Sequence, residues 1–122
     1  MLIQMLQPDF DYGDERGNLT QLCRSGYTQI NVITSVGGSF RGGHYHKKCS
    51  EAFFVAKGCF DLLVSKDGFE EKYTFCEKDM FLIPPFVAHS FIFIKDTVLV
   101  AMYDMGVELP GGTKDIFQVN NL

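Results

Sequence analysis

The sequence predicts an all-β domain, a sandwich or a small barrel. Three observations carry this. Short runs rich in β-branched and aromatic residues recur along the chain. Turn signals separate them at intervals of roughly 8–12 residues. No stretch keeps a helical period over three turns.

The strands follow in order. Met1 to Leu6 is apolar and is expected as an edge strand or a docking arm, and Pro8 to Gly17 is polar and reads as a loop. Tyr27 to Val36 alternates apolar and polar residues and is rich in β-branched side chains, hence a strand. Gly37-Gly38 ends it, and Gly42-Gly43 interrupts the chain just before His44. Paired glycines of this kind let backbone approach closely or turn a barrel corner. Glu51 to Ala56 is the next strand. Lys57-Gly58 turns it into Cys59 to Ser65, and Lys66-Asp67-Gly68 turns that into Glu71 to Cys76. Asp79 to Ile83 stops at Pro84-Pro85, His89 to Ile94 reads as buried on both faces, and Lys95-Asp96 leads into Thr97 to Tyr103. The tail from Pro110 is loop, with Ile116 and Phe117 able to pack back.

At 122 residues the chain is expected to form one domain over 1–122, and an apolar fraction of 46% supports a real core. A net charge of −4, with Lys47-Lys48 the only adjacent basic pair, argues against a nucleic-acid partner. No apolar run approaches the ~20 residues of a membrane span. The apolar start lacks a leading basic residue, so no signal peptide is expected and the setting is expected to be cytoplasmic. Cys23, Cys49, Cys59 and Cys76 show no Cys-x-x-Cys spacing; they are expected to be reduced and partly buried. Cys49, between the histidines and Glu51, could approach their pocket as a soft ligand.

All three histidines lie near two of these strands. His44 and His46 are two apart, so on a strand they share a face. Glu51 follows after four residues, and His89 comes shortly after the Pro84-Pro85 stop. Imidazoles with a carboxylate form a donor set suited to a divalent ion, with His44, His46, Glu51 and His89 as candidate ligands. Zinc, iron, manganese, nickel and cobalt all suit such a set, which leaves positions open for water or substrate. The other reading is a metal-free pocket of hydrogen-bonded imidazoles. Tyr45 alternates with the two histidines and should point away from them, while Tyr73 and Tyr103 remain possible pocket residues. Phe53, Phe54, Phe60, Phe91 and Phe93 are expected to fill the core, with one lining the pocket.

The spacing Gly38, His44, His46, Glu51, Gly58 resembles the first motif of the cupins at every position. The second cupin motif is matched at Pro84 and His89, with Lys78-Asp79, Phe86 and Phe93 replacing its other residues, and motifs 1 and 2 fall at 38–58 and 79–93. This resemblance covers about Asp14 to Asp104 and implies a double-stranded β-helix, the cupin jelly-roll barrel. Asp14-x-Arg16-Gly17-x-Leu19, followed by Arg41-Gly42-Gly43-His44-Tyr45-His46-Lys47, is similar to the small cupins of polysaccharide synthesis. Among these are ketoisomerases of dTDP-linked 4-keto-6-deoxy sugars and a capsule-synthesis cupin domain. The ketoisomerase resemblance implies a metal-free reaction in which His44 takes a proton from sugar C3, His46 moves a proton at C4, and Arg41 and Arg16 hold the substrate. It also implies a tyrosine on the preceding strand, where Ile30-Asn31-Val32-Ile33 has none. The expected function is isomerisation or epimerisation of a nucleotide-linked keto sugar. A metal-dependent oxygenase and a non-catalytic sugar- or metal-binding module are the alternatives. Cupins of this size resemble one another in pairing, so a homodimer is expected.

Overall fold

The computed structural model describes residues 1–119. Among these the regular structure is all β, in twelve strands. They are β1 (Gln4–Leu6), β2 (Phe10–Asp14), β3 (Gly17–Gln21), β4 (Gln29–Ser35), β5 (Phe40–Tyr45) and β6 (Glu51–Lys57). There follow β7 (Cys59–Lys66), β8 (Phe69–Cys76), β9 (Met80–Ile83), β10 (Ala88–Phe93), β11 (Thr97–Tyr103) and β12 (Phe117–Gln118). Two five-stranded sheets form the barrel, ordered β1-β9-β6-β11-β4 and β12-β5-β10-β7-β8, and every pairing is antiparallel. Chain neighbours such as β4 and β5 lie in opposite sheets, so the strands cross over as in a jelly roll.

Alternation along the strands puts their apolar residues between the sheets. In β7, Phe60, Leu62 and Val64 are buried while the residues between them are half-buried. They join Phe53, Val55, Phe81, Phe91, Phe93 and Leu99 in one core cluster. Phenylalanines dominate it: Phe75 and Phe81 stack with ring centres 4.3 Å apart, and Phe60 contacts Phe81, Phe91 and Phe93. Phe54 is also core, packing with Ala52, Met80 and Met102 in a second, smaller cluster.

The N-terminal residues do form an edge strand, as β1 pairs with β9. Residues 8–17 are not the expected loop. They enter a hairpin of β2 and β3 standing apart from both sheets. One face of it is polar, where Asp11 accepts hydrogen bonds from Asn18 at 2.5 Å and Thr20 at 2.6 Å, and the other carries Phe10, Tyr12 and Leu19. The apolar alternation of Phe10 and Tyr12 is short, and Gly13, Asp14 and Gly17 are turn signals that outweigh it. β10 is buried on both faces from Ala88 to Phe91, but Ile92 is exposed. The tail packs back as expected, with β12 pairing to β5.

The cysteines require a correction. Cys59 and Cys76 are joined by a disulfide, whereas Cys23 and Cys49 are free. The two bonded residues are direct cross-strand partners in the β7–β8 hairpin, with Cα atoms 4.2 Å apart. Their separation of 17 residues shows no local motif, because the antiparallel register brings them together.

Candidate active site

The first histidine strand delivers its side chains through an irregularity. Arg41 and His44 are three apart, and on a regular strand they would face opposite ways. The β5–β10 register shifts between them: His89 lies opposite His44, while Phe91 lies opposite Arg41. The extra residue falls at Gly42-Gly43, whose φ angles are +105° and +75°. This is a bulge, and it turns Arg41 to the inner face with the histidines. A Cβ on Gly42 would sit 2.7 Å from the His89 carbonyl oxygen, so glycine is needed here for space as well as conformation. Phe86, where the second cupin motif has glycine, keeps a left-handed φ of +69° and donates its backbone N–H to the His46 carbonyl at 2.7 Å.

The inner faces enclose a cavity of about 570 Å³. His44, His46, Glu51, His89 and Arg41 all line it, together with Asn31 and Tyr103 from the opposite sheet. The ring centres of His44 lie 5.2 Å from those of His46 and 4.8 Å from those of His89. Phe53, Phe91 and Phe93 form apolar wall, three of the five expected core phenylalanines rather than one. Tyr45 points outward and stacks between Phe86 and Phe117. Tyr73 lies elsewhere, stacked on Phe75 and donating to Glu71. Cys49 is buried outside the cavity lining, and burial pushes its thiol up to about 12, so it is a poor soft ligand. Arg16 does not line the cavity. It sits between β2 and β3, is largely exposed and pairs with Asp14 at 2.6 Å. Arg41 is braced on β4, donating from Nε to Ser35 Oγ at 2.8 Å and from Nη2 to the Thr34 carbonyl at 3.1 Å.

Charge is distributed unevenly among the imidazoles. His46 faces an oxygen at each nitrogen: the Asp115 carbonyl at 2.6 Å from Nδ1, and Glu51 Oε1 at 3.0 Å from Nε2. Two acceptors call for two N–H donors, the imidazolium form. Burial disfavours that charge, but the Glu51 bond and the Asp115 carbonyl outweigh it and raise the His46 pKa. Burial likewise opposes the Glu51 carboxylate, but the hydrogen bond from His46 and the neighbouring imidazoles hold its pKa below the usual value. Tyr103 also bonds Glu51, and burial with that carboxylate pushes its hydroxyl up. His44 goes the other way: burial, then the nearby His46 charge, lowers its pKa. His89 is almost wholly buried; it donates from Nδ1 to the Val87 carbonyl at 3.1 Å, and burial lowers its pKa to about 4. One imidazole is thus shifted toward its charged form beside two shifted toward the neutral one.

Three of the four expected metal ligands converge. One donor atom from each of His44, His46 and His89 lies within 4.8 Å of the others. Glu51 Oε1 lies 3.7 Å from His89 Nε2 and is engaged by His46. To ligate an ion, His46 must release Glu51 or the Asp115 carbonyl and lose a proton.

The family described as the polysaccharide biosynthesis C-terminal domain matches residues 12–106. The chain belongs to that family. No curated protein matches it. Solved structures are similar across most of the domain. A dTDP sugar isomerase from Desulfovibrio desulfuricans is 15% identical, with 97% of this chain and 83% of that one covered at a TM-score of 0.81. The dTDP-4-dehydrorhamnose 3,5-epimerase of Sulfolobus tokodaii is 23% identical, covering 92% and 75% at 0.77. A variant of the 3,4-ketoisomerase QdtA from Thermoanaerobacterium thermosaccharolyticum, in complex with TDP-4-keto-6-deoxyglucose, is 19% identical, covering 85% and 80% at 0.74. At these identities the likeness establishes the fold, the cupin jelly roll.

The uneven charge gives stability a definite pH profile. His46, with a raised folded pKa, contributes stability that is full below about 6.5 and lost as pH rises through its folded value. His89, with its pKa depressed to about 4, contributes in the opposite sense: below about 6.5 the unfolded chain takes up a proton that the folded one refuses. His44 acts in the same sense as His89. Stability should therefore peak near pH 6.5. Urea midpoints measured from about pH 8 to 4 should show an acid limb to which His89 contributes on the order of 3 kcal/mol. His89→Gln should flatten that limb and leave the alkaline one, whereas an unchanged acid limb contradicts the assignment.

Proposed function

We propose that this chain is an isomerase or epimerase of a nucleotide-linked keto sugar in polysaccharide biosynthesis, with a dTDP-linked 4-keto-6-deoxyhexose as its type of substrate. The observation that carries the proposal is the pair of imidazoles with ring centres 5.2 Å apart in one cavity, one held between two acceptor oxygens that raise its pKa and the other lowered by burial. Titratable neighbours pushed apart in this way make an acid and a base.

In this reading neutral His44 removes the proton from C3, next to the C4 carbonyl. The C–H electron pair becomes the C3=C4 double bond, and the carbonyl π pair moves onto O4. Cationic His46 protonates O4, giving an enediol. Loss of the O3 proton and return of a proton to C4 complete the exchange of carbonyl position, with no net change in atoms or electrons. A substrate oxygen near His46 Nε2 would compete with Glu51 for the same proton. Arg41, held by Ser35 and Thr34, offers its remaining N–H groups to developing negative charge. Tyr103 supplies a phenol from β11, although β4 carries no tyrosine. The similarity to folds crystallised with thymidine-diphosphate sugars adds support.

The converging donors of His44, His46 and His89 favour a second reading, a metal-loaded site in an oxygenase or a binding module. A divalent ion such as zinc, iron, manganese, nickel or cobalt, held by these histidines with Glu51 beside them, would supply Lewis-acid polarisation of a carbonyl. His44 could not then act as base while bound.

The setting in this reading is cytoplasmic; among the described residues no helix is long and apolar enough to cross a membrane. The assembly is a homodimer. β4 is an edge strand with Ile30 and Val32 61% and 68% exposed, and Phe10, Tyr12 and Leu19 are exposed on the hairpin. Arg16 on that hairpin remains a candidate substrate contact.

Incubation in deuterated water with a dTDP-linked 4-keto-6-deoxyhexose should wash deuterium into C3 or its neighbours. His44→Asn should slow this by about 10²-fold or more. Exchange that survives chelation, in protein carrying no ion by elemental analysis, supports the metal-free route, while exchange lost on chelation supports the metal-loaded one. No exchange into any of several keto-sugar nucleotides, with and without added metal, overturns the isomerase. Light scattering at micromolar concentration should give twice the chain mass, with Val32→Lys weakening the pairing; a monomer in both proteins contradicts the dimer.

A further inference from the structure

Asp115 lies outside every motif, in the tail segment before β12, yet it is 2% exposed. Its contacts account for that burial. Oδ1 accepts the backbone N–H of Lys47 at 2.9 Å, and Oδ2 accepts those of Lys48 at 2.9 Å and Cys49 at 3.0 Å. Its own N–H donates to the Val107 carbonyl at 2.7 Å. Its carbonyl accepts the His46 Nδ1–H at 2.6 Å. One residue therefore grips the ring of His46 and the backbone of the three residues just after it.

Those three residues belong to the connection from β5 to β6, between His46 and Glu51. Its conformation sets the distance between the imidazole and the carboxylate that pairs with it. A carboxylate taking three N–H groups rigidifies such a turn strongly, because each bond is charge-assisted. A ring gripped at Nδ1 has its other nitrogen aimed in one direction, here at Glu51 and the cavity.

We propose that Asp115 is a positioning residue, which holds the His46 ring through its main-chain carbonyl and the 47–49 turn through its carboxylate, so that His46 Nε2 is presented to Glu51 and to substrate. This rests on the acid role given to His46 above and extends it to a residue that touches no substrate. The same device ties the tail to the site: Glu108, Lys114 and Ile116, on either side of the anchor, line the cavity. The carboxylate fixes the tail, and the tail carries the carbonyl that fixes the ring.

The test compares Asp115→Ala with Asp115→Asn in the full chain. A merely structural role would not move the Nδ1–H resonance of His46, so that resonance is the first readout, followed by proton NMR of nitrogen-labelled histidine. Wild type should show it downfield and slow to exchange with solvent. Asp115→Ala should lose it, and Asp115→Asn, which keeps one acceptor oxygen, should retain it with faster solvent exchange. Deuterium wash-in should fall by about 10²-fold in Asp115→Ala, the scale for a misplaced catalytic group, and by less in Asp115→Asn. If Asp115→Ala does not fold, Asp115→Asn decides alone. A His46 Nδ1–H signal indistinguishable from wild type in the folded variant overturns the proposal. The resonance judges it even where wild-type protein exchanges no deuterium, a result that would count against the isomerase and not against the positioning.

Discussion

Glu51 is a carboxylate with 4% of its surface exposed, inside a barrel walled by phenylalanine. A charge in that position is costly unless it is paired and hydrogen-bonded. His46 and Tyr103 provide the partners, and the rest of the site follows from the need to keep them there. To pair with Glu51, His46 carries its own charge. To carry that charge when buried, it takes a second acceptor, the Asp115 carbonyl. Burial, and then the charge so favoured on His46, lower the His44 pKa. A single buried carboxylate thereby helps shift two chemically identical side chains, two residues apart in the chain, in opposite directions.

The sheets make this arrangement possible by an exception to their own periodicity. Regular β5 would carry His44 and His46 into the barrel but turn Arg41 out. The Gly42-Gly43 bulge resets the phase, and the β10 backbone packs so closely against Gly42 that no side chain fits. Both sheets then contribute to one cavity: imidazoles from β5 and β10, the carboxylate from β6, the phenol from β11. The aromatic core behind them is stacked and rigid, which suits a site whose function depends on fixed orientation.

Much of this was legible in the sequence, and what escaped had physical reasons. Strands with one buried face, such as β4 and β7, announce themselves by alternation, and β6, β9 and β11 by apolar runs between turn signals; all five were placed within a residue or two. The spacing of His44, His46, Glu51 and His89 gave the pocket. The β2–β3 hairpin escaped because its alternation spans only Phe10 and Tyr12 before the turn residues Gly13, Asp14 and Gly17. The Cys59–Cys76 bond escaped because spacing was read as a local motif. Yet the Asp67-Gly68 turn pairs Lys66 with Phe69, and counting outward from there sets Cys59 against Cys76. Arg41 was expected at the site from the ketoisomerase resemblance and its proximity to His44; the glycine pair, read as a close approach or a barrel corner, was the signal for its direction. Asp115 left no signal. The groups held by its carboxylate and its carbonyl lie more than sixty residues away, and its tail has no period, so only the folded chain brings it to His46.

The account stands on the opposite protonation of neighbouring histidines. Long-range proton–nitrogen correlation spectra of histidine-labelled protein observe it directly, without substrate and without mutation. At about pH 6.5, the ordinary imidazole value, His46 should show two protonated nitrogens, and His44 and His89 should each show one protonated and one bare. A bare nitrogen on His46, or a doubly protonated His44, would contradict the account.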